Sequence, residues 1–250
     1  MGFVGVTLGS NTARAQENGQ TADWTYWRGP NFNGTAEAEN LVEDWDSEGG
    51  EGSNLLWKRE DIGTRSTPVA MNGRLYTLMR SNPGTDTEGE KVVCLDAETG
   101  ETLWENAFNV YLSDVPDTRV GWSSVVADPE SGNVYALGVC DLFLCINGET
   151  GQTVWSKPLH EQFGMLSTYG GRTNFGIIIN WGEAAKPNHR LIAMDKLTGE
   201  VVWFSGTKDL PNDTTYSAPT LTTIEGQRQL ILGTGDGAVW GIQPRTGKPL

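Results

Sequence analysis

Cys94-Leu95-Asp96-Ala97-Glu98-Thr99-Gly100-Glu101-Thr102-Leu103-Trp104 decides the fold, because the chain writes this phrase four times. It returns as Cys145-Ile146-Asn147-Gly148-Glu149-Thr150-Gly151-Gln152-Thr153-Val154-Trp155, and again as Ala193-Met194-Asp195-Lys196-Leu197-Thr198-Gly199-Glu200-Val201-Val202-Trp203. A fourth copy runs Gly241-Ile242-Gln243-Pro244-Arg245-Thr246-Gly247-Lys248-Pro249-Leu250. The tryptophans recur at intervals of 51 and 48, and the next would fall at position 251, one past the last residue. Within each phrase a short apolar strand leads into a Thr-Gly turn, where glycine supplies the positive φ that other residues resist, and a second strand then carries the tryptophan.

Further apolar runs precede each phrase. Arg74–Leu78, Asn133–Leu137, Gly176–Ile179 and Gln229–Leu232 read as one strand of each unit. Ser66–Val69, Ser123–Val126 and Ser217–Thr220 read as the strand before it, with Thr173-Asn174-Phe175 in that slot of the third unit. Four strands per unit of about 48 residues is the signature of a β-propeller blade. The fold class is therefore all-β, a propeller of four-stranded antiparallel blades. Blades are expected at 64–110, 120–160, 170–206 and 214–250, the last incomplete, with one further strand near 53–58. A blade exposes both sheet faces, so Trp104, Trp155 and Trp203, together with Trp57, read as rings packed onto the neighbouring blade beside Gly100, Gly151, Gly199 and Gly247.

Composition agrees. Glycine supplies 32 of 250 residues, close to double the usual share, as many tight turns require. The net charge of −14 repels phosphate backbones and anionic lipid, which argues against nucleic-acid binding and electrostatic membrane docking. No apolar run reaches the ~18 residues of a membrane span. With His160 and His189 alone available, metal sites built on several imidazoles are ruled out, and no metal site is expected. Residues 1–15 read as the remnant of an export signal, with Ala13-Arg14-Ala15 before a cleavage point, and 16–23 as a disordered linker leading to the propeller at 24–250.

The phrase resembles the tryptophan-docking motif A-x-D-x-x-T-G-x-x-x-W of the PQQ-like (quinoprotein-type) β-propeller repeats. The opening Asp23-Trp24-x-x-Trp27-Arg28-Gly29-Pro30-Asn31-x-x-Gly34 is similar to the start of exported, BamB-like members. The resemblance implies a periplasmic or cell-envelope location and seven or eight blades. The four blades here then form an open partial propeller, which needs missing blades or an oligomer to close, and Trp57 lies on the outer strand given to the last blade.

The chemistry-bearing residues divide into packing and one candidate site. Cys94 and Cys145 share a slot with Ala193 and Gly241, so that slot asks for a small buried side chain rather than a disulfide. A two-residue turn at Cys140-Asp141 places Cys145 opposite Ala136. Gly233-Thr234-Gly235-Asp236-Gly237-Ala238 imitates a dinucleotide fingerprint but runs into another strand, so it reads as a hairpin. Asp86, Glu88 and Glu90 read as a solvated blade tip. The residue before each innermost strand belongs at the mouth of the central funnel: Arg65, Trp122, Arg172 and Tyr216, beside Ser66, Ser123, Thr173, Asn174 and Ser217. Aromatic and cationic groups there suit an anionic, planar or peptide ligand. Two functions compete. One is a non-catalytic exported module that binds a protein, small molecule or polymer. The other, implied by the resemblance, is a PQQ and Ca²⁺-dependent alcohol or sugar dehydrogenase, for which only Trp122, Arg172 and Asn174 offer a partial match. The first is favoured; no catalytic residue and no cofactor is assigned.

Overall fold

The computed structural model describes residues 3–6, 23–31, 34–37, 41–110, 120–159, 177–178, 190–206, 219–234 and 237–250. They are built from strands β1 (Phe3–Val6), β2 (Leu55–Arg59), β3 (Val69–Met71), β4 (Arg74–Ser81), β5 (Gly89–Asp96) and β6 (Thr102–Asn109). The second blade supplies β7 (Val126–Asp128), β8 (Asn133–Leu137), β9 (Leu142–Asn147) and β10 (Thr153–Pro158). There follow β11 (Ile177–Ile178), β12 (Arg190–Met194), β13 (Val201–Gly206), β14 (Thr220–Ile224), β15 (Gln227–Gly233) and β16 (Val239–Ile242). Two sheets are four-stranded meanders, β3-β4-β5-β6 and β7-β8-β9-β10; two more are β11-β12-β13 and β14-β15-β16, and the fifth pairs β1 with β2. Among the described residues no strand pairing joins the first sheet to the last, so the blades form an open arc of a propeller. The fourth blade begins its outer strand at the bridge between Ile242 and Pro249.

Sheet faces make the core. Val69, Met71, Tyr76, Leu78, Val92 and Cys94 of the first blade pack on Val125, Ala127, Val134, Ala136, Leu144 and Ile146 of the second. Residues of opposite parity, Met79, Val93 and Leu95, pack with Ile62 and Trp57 on the other side. Buried on both faces, the middle strands therefore read as apolar runs instead of alternating with polar residues.

The outer strands share one irregularity. Cys94 pairs with Trp104 and Leu95 with Thr102, which leaves Leu103 bulged out between them. The same step leaves Val154 out beside the Cys145–Trp155 pair and Val202 out beside the Ala193–Trp203 pair. In the β1–β2 sheet Gly5 pairs with Trp57 and Val6 with Leu55, so Leu56 is skipped in the same register. A bulge adds twist and re-aims the next side chain. Here it turns each tryptophan toward the neighbouring blade and leaves Leu56, Leu103, Val154 and Val202 exposed. The slot opposite the tryptophan is thus held by Gly5, Cys94, Cys145 and Ala193. Cys94, Cys140 and Cys145 are buried and joined in no disulfide.

One register differs from expectation. Tyr135, not Ala136, faces Cys145, because the loop holds three residues, Val139-Cys140-Asp141, with Asp141 at φ +62° and Gly138 N–H bonded to the Leu142 carbonyl at 2.9 Å. The three-residue loop moves the pairing by one relative to a two-residue turn.

The segment from Asp23 to Arg28 crosses the inner edges of the blades. Ala70 N–H donates to the Trp24 carbonyl at 2.8 Å, Ala127 N–H to the Thr25 carbonyl at 2.9 Å, and Asn72 N–H to the Asp23 carboxylate at 3.0 Å. Ala70 and Ala127 hold equivalent places in β3 and β7, so consecutive carbonyls satisfy consecutive blades. Tyr26 is buried, and Arg28 reaches the Thr220 hydroxyl at 3.4 Å at the head of β14.

Candidate functional site

The two ends of the blades are built differently. At one end, a carboxylate or amide at the first turn position holds each Thr-Gly turn: Asp96 Oδ1 accepts from Thr99 N–H at 2.8 Å and from the Thr99 hydroxyl at 3.0 Å, as do Asn147, Asp195 and Gln243 in their copies. Each turn presents its next carbonyl to a tryptophan from the blade before. Trp57 donates to Ala97 O at 3.0 Å, Trp104 to Gly148 O at 3.1 Å, Trp155 to Lys196 O at 3.2 Å and Trp203 to Pro244 O at 2.9 Å. Tyr76 and Tyr135 hydroxyls donate to the Gly148 and Lys196 carbonyls as well. The indole faces lie on Gly100, Gly151, Gly199 and Gly247, where an added Cβ would sit 2.5 to 3.0 Å from the ring. This end is packing. Its polar groups are satisfied by one another.

The opposite end carries the chain leads into β3 and β7. Arg65 and Trp122, equivalent positions on adjacent blades, come together: the exposed guanidinium lies 5.0 Å from the centroid of the half-buried indole. That distance is within cation–π range. Ser66 and Ser123 beside them are buried, with Ser66 Oγ accepting Leu78 N–H at 3.3 Å and the Ser123 hydroxyl donating to the Leu137 carbonyl. Their hydroxyls fasten the chain leads to β4 and β8. Thr64 donates to the Leu78 carbonyl and stands 3.0 Å from the Gly121 carbonyl, and Ser124 Oγ accepts Thr67 N–H at 3.1 Å. Arg172, Thr173, Asn174, Tyr216 and Ser217 lie outside the described residues.

Glu90 corrects the reading of the blade tip. Asp86 is exposed and Glu88 pairs with Arg80, but Glu90 sits inside β5 with 1% exposure. Its period-two spacing to Val92 and Cys94 was the available signal, since all three share the face turned to the second blade. Glu90 Oε1 accepts Gly121 N–H at 2.7 Å and Oε2 accepts Val139 N–H at 2.8 Å. Burial pushes its carboxyl up to about 7, against the two N–H bonds that favour the anion.

A sequence profile of the family described as "Outer membrane protein assembly factor BamB" matches residues 38–137 and 88–250. The chain belongs to this family. None of the curated proteins matches it. Among solved structures, this BamB-family chain is similar to the quinohemoprotein alcohol dehydrogenase ADHIIG from Pseudomonas putida HK5, with 15% identity and a TM-score of 0.52 over 79% of this chain and 37% of that one. A europium-containing methanol dehydrogenase gives 15% identity and a TM-score of 0.49 over 79% and 45%. At such identity the likeness is one of fold. This chain spans less than half the length of either.

The PQQ and Ca²⁺ implied by the resemblance call for a free aromatic plate and a set of oxygen ligands. Trp122 is an aromatic plate at this end of the blades, with Arg65 over one face of its ring, and among the described residues no three His, Cys, Asp or Glu cluster to hold a metal ion. The described residues thus bring together an aromatic plate and a cation, but not a set of calcium ligands. Among them, no helix is long and apolar enough to cross a membrane.

Proposed function

We propose that this BamB-family chain is a non-catalytic binding module of an exported propeller, and that its ligand meets the mouth formed by Arg65 and Trp122. The observation that carries the reading is the cation–π pair itself. Two blades each contribute one residue from the same structural position, and together they present a cation backed by a flat ring. A guanidinium in this setting pairs with a carboxylate while the indole edge takes apolar or planar surface. The ligand class is an anionic molecule or peptide carrying a planar or apolar group. In sequence, Arg172 and Tyr216 hold the corresponding place in the third and fourth repeats. The −14 net charge disfavours anions elsewhere on the surface, which makes a local cation at the mouth selective.

PQQ, planar and tricarboxylate, serves as the probe. The expected result is saturable quenching of tryptophan fluorescence, weakened about tenfold or more in Arg65→Ala and Trp122→Ala, a loss of at least ~1.4 kcal/mol. No dye reduction should follow when Ca²⁺ and primary alcohols or sugars are added. Turnover would overturn the non-catalytic reading in favour of a dehydrogenase. Quenching unchanged in both variants would remove the mouth as the binding surface.

A further inference from the structure

We infer that Glu90 is the positioning residue of this mouth, holding Gly121, the residue before Trp122, and the turn from Gly138 to Asp141 in one place with its two carboxylate oxygens. The inference rests on the reading of Arg65 and Trp122 as the binding surface.

The geometry is specific. Glu90 comes from the first blade, whereas both donors come from the second: Gly121 N–H from the lead into β7 and Val139 N–H from the β8–β9 turn. Gly121 is held on both sides, its N–H by Glu90 and its carbonyl 3.0 Å from the hydroxyl of Thr64, the residue before Arg65. Gly121 is the sequence neighbour of Trp122, and its hydrogen bonds to Glu90 and to Thr64, the neighbour of Arg65, tie the two sides of the cation–π pair together. Two glycines make room for this. Gly121 has φ +70°, and a Cβ there would stand 2.8 Å from the backbone of Met79 and Arg80. A Cβ at Gly138 would meet Glu90 Oε2 at 2.7 Å and the Phe108 ring at 2.6 Å. Val110, Val120, Val139 and Cys140 cluster in the same region and keep it apolar.

A merely structural carboxylate could be surface-exposed; this one is buried, and among the described residues no cation pairs with it. The charged and titratable groups on the described elements around it are Arg80, its cross-strand partner, whose guanidinium bonds Glu88; Asp141 and Cys140 of the turn; and Phe108 faces it from β6 without charge. Hydrogen bonds from backbone N–H groups to a carboxyl group shut away from water are strong and directional. They fix a loop more firmly than water-exposed contacts do. Trp122 thereby meets a ligand as a preset plate, which lowers the ordering cost of binding.

Glu90→Gln tests this, because it keeps the shape but puts an amide NH₂ against one of the two N–H donors. Protein labelled with 5-fluorotryptophan, its Trp122 resonance assigned by Trp122→Phe, should show that signal shifted or broadened in Glu90→Gln while those of Trp104 and Trp155 stay in place. Amide exchange at Gly121 and Val139 should quicken by about tenfold or more, and PQQ affinity should fall by about tenfold. An unmoved Trp122 signal with unchanged exchange overturns the inference. So does a shifted signal with PQQ affinity unchanged, when Trp122→Ala still abolishes binding; the mouth then stands and Glu90 does not set it. If neither Trp122→Ala nor Arg65→Ala affects PQQ, the binding reading has failed instead, and the fluorine and exchange measurements alone decide whether Glu90 positions Trp122. Should Glu90→Gln not fold, Gly138→Ala pushes on the same carboxylate from the opposite side and must move the Trp122 signal.

Discussion

Substituting Gly151 by alanine separates a turn requirement from a docking requirement. Gly151 has φ +73°, and a Cβ there would stand 2.6 Å from Trp104 Cδ2 and 2.8 Å from Cε3. Gly132, in the β7–β8 turn of the same blade, has φ +72° with nothing within 4 Å of the same hypothetical Cβ. Both replacements force alanine into the left-handed region, at about 1–2 kcal/mol. Only Gly151→Ala also drives the indole off its seat, which adds about 1–3 kcal/mol of overpacking and loosens the Trp104 bond to Gly148 O. Gly132→Ala should thus cost ~1–2 kcal/mol and Gly151→Ala ~2–5 kcal/mol. In a Trp104→Ala background the extra term should vanish, leaving a coupling of about 1–3 kcal/mol in the double-mutant cycle. Urea titration followed by far-ultraviolet circular dichroism reads these values, the docking term moving the midpoint by on the order of 1 M. Equal midpoints for the two alanine variants, or a Gly151→Ala penalty that survives the loss of Trp104, would refute the docking argument.

Three other outcomes follow from the geometry. Burial holds the Glu90 carboxyl at about 7 against an ordinary 4.5, so the folded chain binds that proton more tightly than the unfolded one. The associated stability is complete below pH ~4.5 and is lost as pH rises through ~7, about 3 kcal/mol at most, so Glu90→Gln should flatten that part of the stability profile; a profile parallel to the wild type there would contradict it. Burial also pushes the Cys94 thiol up to about 12 and Cys145 to about 11, so native protein should resist aromatic disulfide reagents at neutral pH and release its thiols only with urea; prompt native labelling of either would show the slots to be open. Asn147→Ala removes the acceptor for Thr150 N–H and hydroxyl, and should cost about 1 kcal/mol in the same urea assay, as the loss of a helix cap does; no measurable change would mean that glycine alone shapes the turn.

Much of the blade was legible because its determinants are local. The Thr-Gly turn, the apolar run before it and the tryptophan after it sit within eleven residues, and their spacing survives into β5–β6, β9–β10 and β12–β13. The Cys, Cys, Ala slot follows from the same alignment, and the structure supplies its reason: each of those residues is the cross-strand partner of the tryptophan. The β8–β9 register was missed by one place because Asp141 takes a positive φ and closes a three-residue loop, which the sequence around Cys140 does not announce. Glu90 was missed for a different reason. Its neighbours Asp86 and Glu88 are surface residues, and only the alternation with Val92 and Cys94 marks its inward face.

By itself, then, the sequence determined the blade, its turns and its docking tryptophans, since each depends on a backbone preference or a period of a few residues. Tertiary structure alone decided that Arg65 stacks on Trp122, that Glu90 bridges to Gly121 and Val139, and that Trp24 and Thr25 supply carbonyls to the inner strands of two blades. Those contacts join residues from different sheets. They follow from the angle at which one blade leans on the next, a quantity set by the whole packed interface and carried by no short stretch of the chain.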